Sequence, residues 1–312
     1  MAALQHSGRS DNWRNAFYIG LDWGIIALAI AIPEYFNSWS LWLLAVVIIG
    51  SRMRALANLM HEAAHRKLFR SRSINDAVGA ALCAWPILVD YQTYLTRHRR
   101  HHARLWSERD DPDFDFFRRT GAEYQTSDQM SFRRFALIHI AYGLFTVWSP
   151  VRLWHGLGRG SGLAIRLLGA AAVAAAVTLA TRQLPIPLIA FWAVPWITTF
   201  QSFTYWAELG EHAGLRARGR KWGSRNWFGG RLTRTLIGPH SDDSYHLLHH
   251  WFPTVPHYRL KSLHRVCLRQ WSRYREHQRC GGFFLSTARG RSVLYDVWAG
   301  GAIDSEADNI RM

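Results

Sequence analysis

Histidine is concentrated in three short groups of this 312-residue chain. The first group has the form His-x3-His, and the two later groups have the form His-x2-His-His. On a helix, positions three or four apart share one face, so each group directs its imidazoles towards one point. Neutral imidazole is a common ligand of first-row metal ions. The spacing therefore predicts a metal site, with these candidate ligands: His61, His65, His98, His101, His102, His246, His249 and His250.

The number of candidate ligands indicates more than one metal ion. One tetrahedral zinc ion takes four ligands at most, whereas the three groups contain eight histidines and His212 adds a ninth. Adjacent His-His pairs can also serve two ions from one helical turn. A single His-x3-His often arises by chance without binding metal, but three such groups in one chain disfavour that explanation. We therefore expect two ions.

The three groups resemble the histidine boxes of the membrane fatty acid desaturase and hydroxylase superfamily, whose members are integral-membrane di-iron enzymes. Their surroundings are similar too. His102 is followed by Asp111-Pro112-Asp113, and the last group continues as Trp251-Phe252-Pro253-Thr254-Val255-Pro256, as in bacterial acyl desaturases. The segment Glu-His-x-Gly-Leu at 211–215 is similar to one in membrane alkane hydroxylases. The likeness spans roughly 21 to 260 and is specific to the superfamily, but not to one reaction.

The resemblance implies that the eight box histidines and His212 bind two iron ions (Fe2+), with O2 as co-substrate. Glu208 lies four residues before His212, on the same helical face. Related enzymes often have asparagine at this place, so Glu208 is a candidate catalytic residue that either ligates iron or orients His212. Other carboxylates are expected to fix histidine tautomers; these are Glu62, Glu211, Asp110, Asp111, Asp113, Asp242 and Asp243.

The motifs favour a desaturase and leave a hydroxylase open. The final Tyr-His-x-x-His-His-x-Phe-Pro and the second box favour desaturation of a lipid or fatty acyl chain. The short first box and the segment at 211–215 favour hydroxylation of an acyl, alkyl or related apolar substrate. A zinc-dependent hydrolase needs fewer histidines, and a metal transporter would have them within its membrane spans. A substrate tunnel or simple helix packing would explain Trp196, Phe200, Phe203 and Trp206.

Electrons are expected from a separate protein. The cysteines are Cys83, Cys267 and Cys280, too far apart in sequence for an iron–sulfur set, and we find no haem or flavin motif. The resemblance implies a donor such as ferredoxin or rubredoxin with its reductase. The net charge of +16 suits an acidic donor and a cytoplasmic membrane face. The basic residues lie between and after apolar segments, which disfavours nucleic-acid binding.

The apolar segments predict an all-α integral membrane protein. We expect four transmembrane helices in two hairpins, at 17–33, 39–56, 163–180 and 187–206, with a cytoplasmic helical cap formed by 57–162 and 207–280. All histidine boxes and nearly all Lys and Arg then lie on one side, which the positive-inside rule makes cytoplasmic. A fifth crossing at 135–154 would separate the boxes, so we interpret that segment as interfacial.

The chain is therefore divided into a cytoplasmic lead (1–15), a desaturase-like domain (16–280) and a tail (281–312) without an assigned structure. The lead is polar and has no pattern of a cleavable signal. Both termini are expected in the cytoplasm, at a bacterial inner membrane. The basic, amphipathic segment 259–279 is expected to lie against the anionic leaflet.

Overall fold

A computed structural model of the chain describes residues 10–120, 130–145, 164, 168, 186–227, 230–240, 243–276, 282–288 and 290–300. Within these ranges the regular elements are helices, and extended pairing is limited to isolated bridges such as that of Gly282 with Ser292. The all-α prediction is confirmed for this part of the chain. The helices are α1 (Trp13–Phe36), α2 (Trp39–Ala64), α3 (Arg72–Val78), α4 (Tyr91–Arg104), α5 (Phe114–Thr120), α6 (Phe132–Phe145), α7 (Ile186–Ile197), α8 (Thr199–His212), α9 (Gly219–Trp222), α10 (Arg231–Leu236), α11 (His246–Trp251), α12 (His257–Gln270), α13 (Ser272–Glu276) and α14 (Val293–Trp298).

The chain forms two compact units. The hairpin unit consists of Ser10–Arg97 and Tyr142–Tyr205. The histidine unit consists of Met1–Arg9, His98–Ala141 and Trp206–Met312.

Helices α1 and α2 form the hairpin after which the first unit is named. Both are long and apolar enough to cross a membrane, and they contain the predicted spans 17–33 and 39–56. The turn between them is tight because Asn37 adopts a left-handed conformation (φ 45°), which asparagine tolerates better than most residues. Ser38 caps α2, its hydroxyl accepting from the Leu41 N–H at 3.5 Å. Helix α1 begins at Trp13, inside the segment predicted as a lead.

The other two predicted spans have different outcomes. The span 163–180 lies outside the described residues apart from 164 and 168. The span 187–206 is divided between α7 and α8, which meet at Thr198. Pro195 has no N–H for the helical ladder, and the Thr198 hydroxyl donates to the Val194 carbonyl at 2.5 Å. These local bonds compete with regular helix geometry and explain the interruption.

A buried ion pair joins α1 to α2. The Arg52 guanidinium donates to the Asp22 carboxylate at 3.0 Å, and the Asp22 side chain is fully buried. Burial of a charge between apolar helices is costly unless the charge is paired. The pair therefore fixes the register of the hairpin that carries His61 at its far end.

Helix α2 approaches α8 closely at Gly50. A Cβ atom at this position would lie 2.7 Å from Thr199 Cβ and 2.8 Å from the Phe200 nitrogen. We expect Gly50→Ala to lower the free energy of unfolding by about 1–3 kcal/mol, because the two helices would have to separate. Thermal unfolding in detergent measures this effect. Gly24→Ala in α1 is the control, since nothing lies within 4 Å of its added Cβ; equal loss of stability in both variants would contradict the prediction.

In the histidine unit, α12 packs its apolar side against the last histidine group. Leu260, Leu263 and Cys267 form a buried cluster with Leu247 and Leu248 of α11. The sequence predicted that segment 259–279 would lie against the anionic leaflet; within it, the buried apolar residues of α12 pack against protein. The polar face of α12 is the side that remains exposed.

The described part of the C-terminal tail is also folded. The Ser292 hydroxyl caps α14, accepting from the Tyr295 N–H at 3.2 Å. Helix α14 packs at the end of α8, where a Cβ on Gly214 would lie 2.8 Å from the Val297 carbonyl oxygen. Gly214 also has a φ of 73°, a conformation that glycine adopts without strain. The tail thus supports the helix that ends at His212.

Candidate metal centre

All nine predicted histidines lie on helices or at their ends. His61 is in the last turn of α2 and His65 directly follows that helix. His98, His101 and His102 lie on α4, and His212 is the last residue of α8. His246, His249 and His250 lie on α11. The helical conformation that the spacing predicted for the boxes is therefore confirmed, with His65 at the end of its helix.

The turn that follows α2 positions the first box in the hairpin unit. Asn75 is fully buried, and its amide group donates to the Ala63 carbonyl at 2.8 Å. Its carbonyl oxygen accepts from the Leu68 N–H at 3.1 Å. The rings of His61 and His65 are held at an edge-on angle of 84° with centroids 5.0 Å apart. The two imidazoles thus lie together at the end of one rigid helix.

In the histidine unit, four imidazoles form what we call group one: His101, His212, His246 and His250. The Nε2 atom of His212 lies 3.2 Å from that of His101 and 2.9 Å from that of His246. The Nε2 atoms of His246 and His250 are 3.1 Å apart. The carboxylate of Glu211 lies 3.5 Å from His246 Nε2. Ring nitrogens from α4, α11 and the end of α8 thus converge.

A second set, group two, consists of His98, His102 and His249 in the same unit. One ligand atom from each of these residues lies within 4.8 Å of those of the others. The Nε2 atoms of His102 and His249 are 3.1 Å apart. His249 is fully buried and His98 is 8% exposed. Group two therefore also offers ring nitrogens in a protected place.

The two adjacent His-His pairs are divided between the groups. His101 and His250 belong to group one, whereas their chain neighbours His102 and His249 belong to group two. The rings of His102 and His250 stack with centroids 4.1 Å apart, so the groups adjoin. This division is the arrangement expected if each pair serves two metal ions.

The donor atoms fit first-row metal ions. Imidazole nitrogens bound at about 2.1 Å to one ion lie roughly 3 Å apart when they are octahedral neighbours. The Nε2–Nε2 distances of 2.9–3.2 Å in the two groups match this separation. Nitrogen donors without thiolates suit iron, copper, nickel or zinc. The donor set is therefore compatible with two iron ions.

Two ligands are oriented through their Nδ1 atoms. His212 Nδ1 donates to the Gly223 carbonyl at 3.1 Å, and His101 Nδ1 donates to the Asp111 carboxylate at 2.9 Å. Asp113 lies 3.4 Å from the same His101 nitrogen. A proton on Nδ1 leaves the Nε2 lone pair available for a metal. Asp111 and Asp113 thus have the orienting positions that the sequence predicted for them.

Trp106 connects these two orienting groups. Its indole N–H donates at 2.9 Å to the Gly223 carbonyl that accepts from His212. Its backbone N–H donates at 2.9 Å to Asp111, which binds His101. Trp106 adopts a left-handed conformation (φ 68°), which is strained for so large a residue. A Cβ on Gly223 would lie 2.6 Å from the indole, so this contact requires glycine.

Burial and neighbouring charges lower the pKa of two histidines of group one, His212 and His250. Burial, together with the charge of His101, lowers the pKa of His212 to about 3. Burial and the neighbouring histidines also hold the pKa of His250 well below its ordinary value. Burial alone would lower the pKa of His101, but the hydrogen bond to Asp111 and the charges of Asp113, Asp111 and Glu208 raise it. His212 and His250 are thus in the neutral form that binds metals.

The remaining predicted carboxylates have different surroundings. Glu208 is half-buried, and its charge acts on both His101 and His212. The Glu211 carboxylate lies within 4.8 Å of the ligand atoms of His212 and His246. Asp110 is exposed and pairs with Arg100 at 3.0 Å. Glu62 is buried in α2; Asp242 and the side chain of Asp243 lie outside the described residues.

The aromatic residues proposed to line a substrate tunnel are engaged in packing. The Trp196 indole donates to the Ile87 carbonyl at 2.8 Å, and Phe200 lies in the core of the hairpin unit. Trp206 is buried beside Phe283, with ring centroids 5.9 Å apart. These contacts favour the helix-packing explanation of Trp196, Phe200 and Trp206.

Sequence reasoning missed the segment Gly223–Arg225. The Arg225 guanidinium is buried and donates to the carbonyls of Gly210 at 3.1 Å and Ala213 at 2.6 Å. The Arg225 N–H donates to the Glu211 carbonyl at 2.8 Å. Arg225 therefore binds the open carbonyls at the end of α8 and stabilises the turn that carries His212. No spacing pattern marks this arginine; its only signal was proximity to a helix end in sequence.

Comparison with known proteins agrees with the geometry. Residues 37–282 match the sequence model of a family described as fatty acid desaturase. A dihydrorhizobitoxine desaturase of Bradyrhizobium elkanii is 29% identical over 299 residues, which cover 91% of this chain and 83% of that protein. An sn-1 acyl-lipid omega-3 desaturase (ferredoxin) of Synechocystis sp. is 28% identical over 269 residues, which cover 80% and 73%.

A plant relative is longer than this chain. A chloroplastic sn-2 acyl-lipid omega-3 desaturase (ferredoxin) of Arabidopsis thaliana is 27% identical over 284 residues. These cover 83% of this chain but only 62% of the plant protein, less than two thirds. The family match nevertheless contains all nine histidines. The resemblance drawn from the histidine boxes is thereby confirmed: the chain belongs to the fatty acid desaturase family of membrane oxidoreductases.

Proposed function

We propose that this protein is an O2-dependent di-iron desaturase that introduces a double bond into a lipid or fatty acyl chain. The observation that carries the proposal is the division of two adjacent His-His pairs between two converging groups of ring nitrogens. A single-zinc hydrolase needs only one such group. His61 and His65 are proposed to complete the ligand set as the first box, and His212 as the ninth ligand.

When bound, the iron pair supplies O2 reduction and the oxidising power to remove hydrogen from an unactivated C–H bond. The protein's part is to hold the ligands ready. Asp111 and the Gly223 carbonyl fix the protons of His101 and His212 on Nδ1. Burial keeps water away from group one and keeps His212 neutral. Glu208 is the candidate catalytic carboxylate, because its charge acts on both of these histidines.

Desaturation is favoured over hydroxylation by the relatives. The proteins from Bradyrhizobium, Synechocystis and Arabidopsis are all named desaturases. Two of these names specify acyl lipids, whereas the third specifies dihydrorhizobitoxine. A lipid or acyl chain is therefore the proposed substrate class. Hydroxylation of an acyl, alkyl or related apolar chain is the alternative, because the same site chemistry removes the first hydrogen in both reactions.

We propose the four-span topology for the membrane arrangement, with both termini and all histidine boxes on the cytoplasmic side of a bacterial inner membrane. The excess of Lys and Arg outside the apolar segments supports this orientation. Electrons are proposed to come from a separate ferredoxin or rubredoxin with its reductase. Two relatives named as ferredoxin enzymes support this kind of donor.

The test combines metal analysis with product analysis. Detergent-purified protein should contain about two iron ions per chain, and His249→Ala should lose a large part of that iron. The iron-loaded protein is then supplied with reductant, O2 and a panel of acyl lipids, and products are identified by mass spectrometry. Loss of two hydrogen atoms from a substrate supports the desaturase, and gain of one oxygen atom supports the hydroxylase. Stoichiometric zinc that added iron does not replace would contradict both.

A further inference from the structure

The exposed side of α12 carries a cationic surface that ends in a partly exposed tryptophan. Residues 257–276 contain six Lys or Arg and a single acidic residue, Glu276. The exposed members include Lys261, Arg265 and Arg269, which are spaced four residues apart and so share one face of α12. Trp271, at the end of that helix, is 43% exposed. We call Lys261, Arg265, Arg269 and Trp271 the α12 surface.

Two occupants suit such a surface: anionic lipid headgroups or an acidic protein. A helix that lies in a membrane interface buries its apolar face in lipid. In α12 that face is already used, because Leu260, Leu263 and Cys267 are buried against the last histidine group. What α12 offers outwards is Lys261, two arginines and Trp271, and arginine and tryptophan are enriched at protein–protein interfaces. The observations therefore favour an acidic protein.

The α12 surface is connected to the metal centre by aromatic contacts. The rings of Trp271 and Trp251 have centroids 5.9 Å apart. Trp251 directly follows His250 on α11 and also contacts Trp222, with centroids 4.7 Å apart. The Trp251 indole donates to the Lys221 carbonyl at 2.6 Å, which fixes its orientation. An exposed tryptophan is thus one aromatic contact away from the residue next to a candidate ligand.

We infer that the α12 surface is the docking site of an acidic, one-electron iron–sulfur protein that reduces the metal centre. The inference rests on the proposed function, because an O2-dependent desaturase needs an external electron donor, as the alternative hydroxylase does, whereas a zinc hydrolase does not. Converting a CH2–CH2 unit and O2 into an alkene and two water molecules consumes two electrons and two protons from outside. A one-electron donor must therefore dock twice in each turnover. Docking that is repeated and short-lived is favoured by electrostatic attraction, because complementary charge raises the association rate more than the affinity.

The experiment uses the iron-loaded, oxidised full-length protein in detergent, without O2 or substrate. A reduced, acidic [2Fe–2S] ferredoxin is mixed with it at low ionic strength, and its reoxidation is followed by absorbance. Arg265→Glu/Arg269→Glu should slow the second-order reaction at least about tenfold, and salt should slow the wild type towards the rate of the variant. Trp271→Leu should lower the limiting rate at saturating ferredoxin.

The matched control is Arg133→Glu/Arg134→Glu, which changes the net charge equally at exposed positions on α6. This variant should keep the wild-type rate; an equal decrease would mean that overall charge, and not the α12 surface, attracts the donor. Dithionite separates the docking inference from the proposed function. If dithionite reduces the centre but ferredoxin reduces wild type and Arg265→Glu/Arg269→Glu equally, docking is refuted. If dithionite cannot reduce the wild-type centre, the proposed function itself fails.

A spin label at position 269 (Arg269→Cys) distinguishes the lipid alternative. On a surface that faces water, a soluble nickel chelate should relax the label more strongly than oxygen does. Stronger relaxation by oxygen, which concentrates in the bilayer, would place α12 against lipid and overturn the inference.

Discussion

His212→Ala should lose more iron and more activity than any substitution outside the three histidine boxes. His212 is 2% exposed, and its Nε2 atom lies within 3.2 Å of the Nε2 atoms of both His101 and His246. Removal of a ligand should exceed the 10–100-fold effect that is typical of losing a residue that only orients a ligand. We expect iron to fall from about two ions per chain towards about one, and activity to fall by more than about a hundredfold.

Metal analysis and turnover with the best substrate measure this prediction. His264→Gln is the control, since His264 is a half-buried histidine that bonds to Tyr274 and lies outside both groups. This variant should keep its iron. His212→Gly with added imidazole should regain part of its iron, because free imidazole can enter the vacated space. Unchanged iron content in His212→Ala would remove His212 from the ligand set.

Asp111→Asn should have the second-largest effect, although Asp111 is not proposed to touch iron. One carboxylate oxygen of Asp111 accepts from His101 Nδ1 and the other accepts from the Trp106 N–H, both at 2.9 Å. An amide keeps the size of the side chain but removes the negative charge and one acceptor. His101 would then be held less firmly and be a weaker donor, so iron affinity should fall by about 10–100-fold. Competition with a calibrated chelator measures that affinity.

Asp110→Asn is the matched control for Asp111→Asn. Asp110 is the preceding residue, but it is exposed and pairs with Arg100 on the surface. A pair of this kind contributes little to stability, and its loss should leave iron affinity unchanged. Comparable weakening in both variants would indicate that general negative charge, not the bond to His101, supports the site.

The convergence of the candidate ligands was largely predictable from the sequence, because helical periodicity determines which residues of one box share a face. His98 and His102, or His246 and His250, are placed together by the geometry of a single helix. The sequence also named His212, which lies outside the boxes, and Asp111 as candidates, and the structure places both beside His101. Asp111 follows His101 by ten residues, whereas His212 lies 34 residues before His246 and was marked only by the similarity of its own segment.

Features that depend on contacts between distant segments were not predictable. Trp106 and Gly223 are joined by one hydrogen bond and one steric contact, and neither has a spacing pattern. The packing of the apolar face of α12 against α11 was not predicted, because periodicity reveals a face but not what covers it. The interruption at Thr198 has a local cause, but it was not predicted either, because the surrounding residues keep a regular apolar pattern while the Thr198 hydroxyl bonds to the Val194 carbonyl.

The division of the adjacent histidines has a consequence for metal selectivity. The rings of His101 and His102 have centroids 5.9 Å apart, and so do those of His249 and His250. If each group binds one ion as proposed, the distance between the two ions would be set twice by neighbouring residues of the covalent chain. Manganese, cobalt and iron ions of similar radius would all meet the same spacing. Discrimination between them must therefore come from ligand chemistry and from the supply of each metal in the cell.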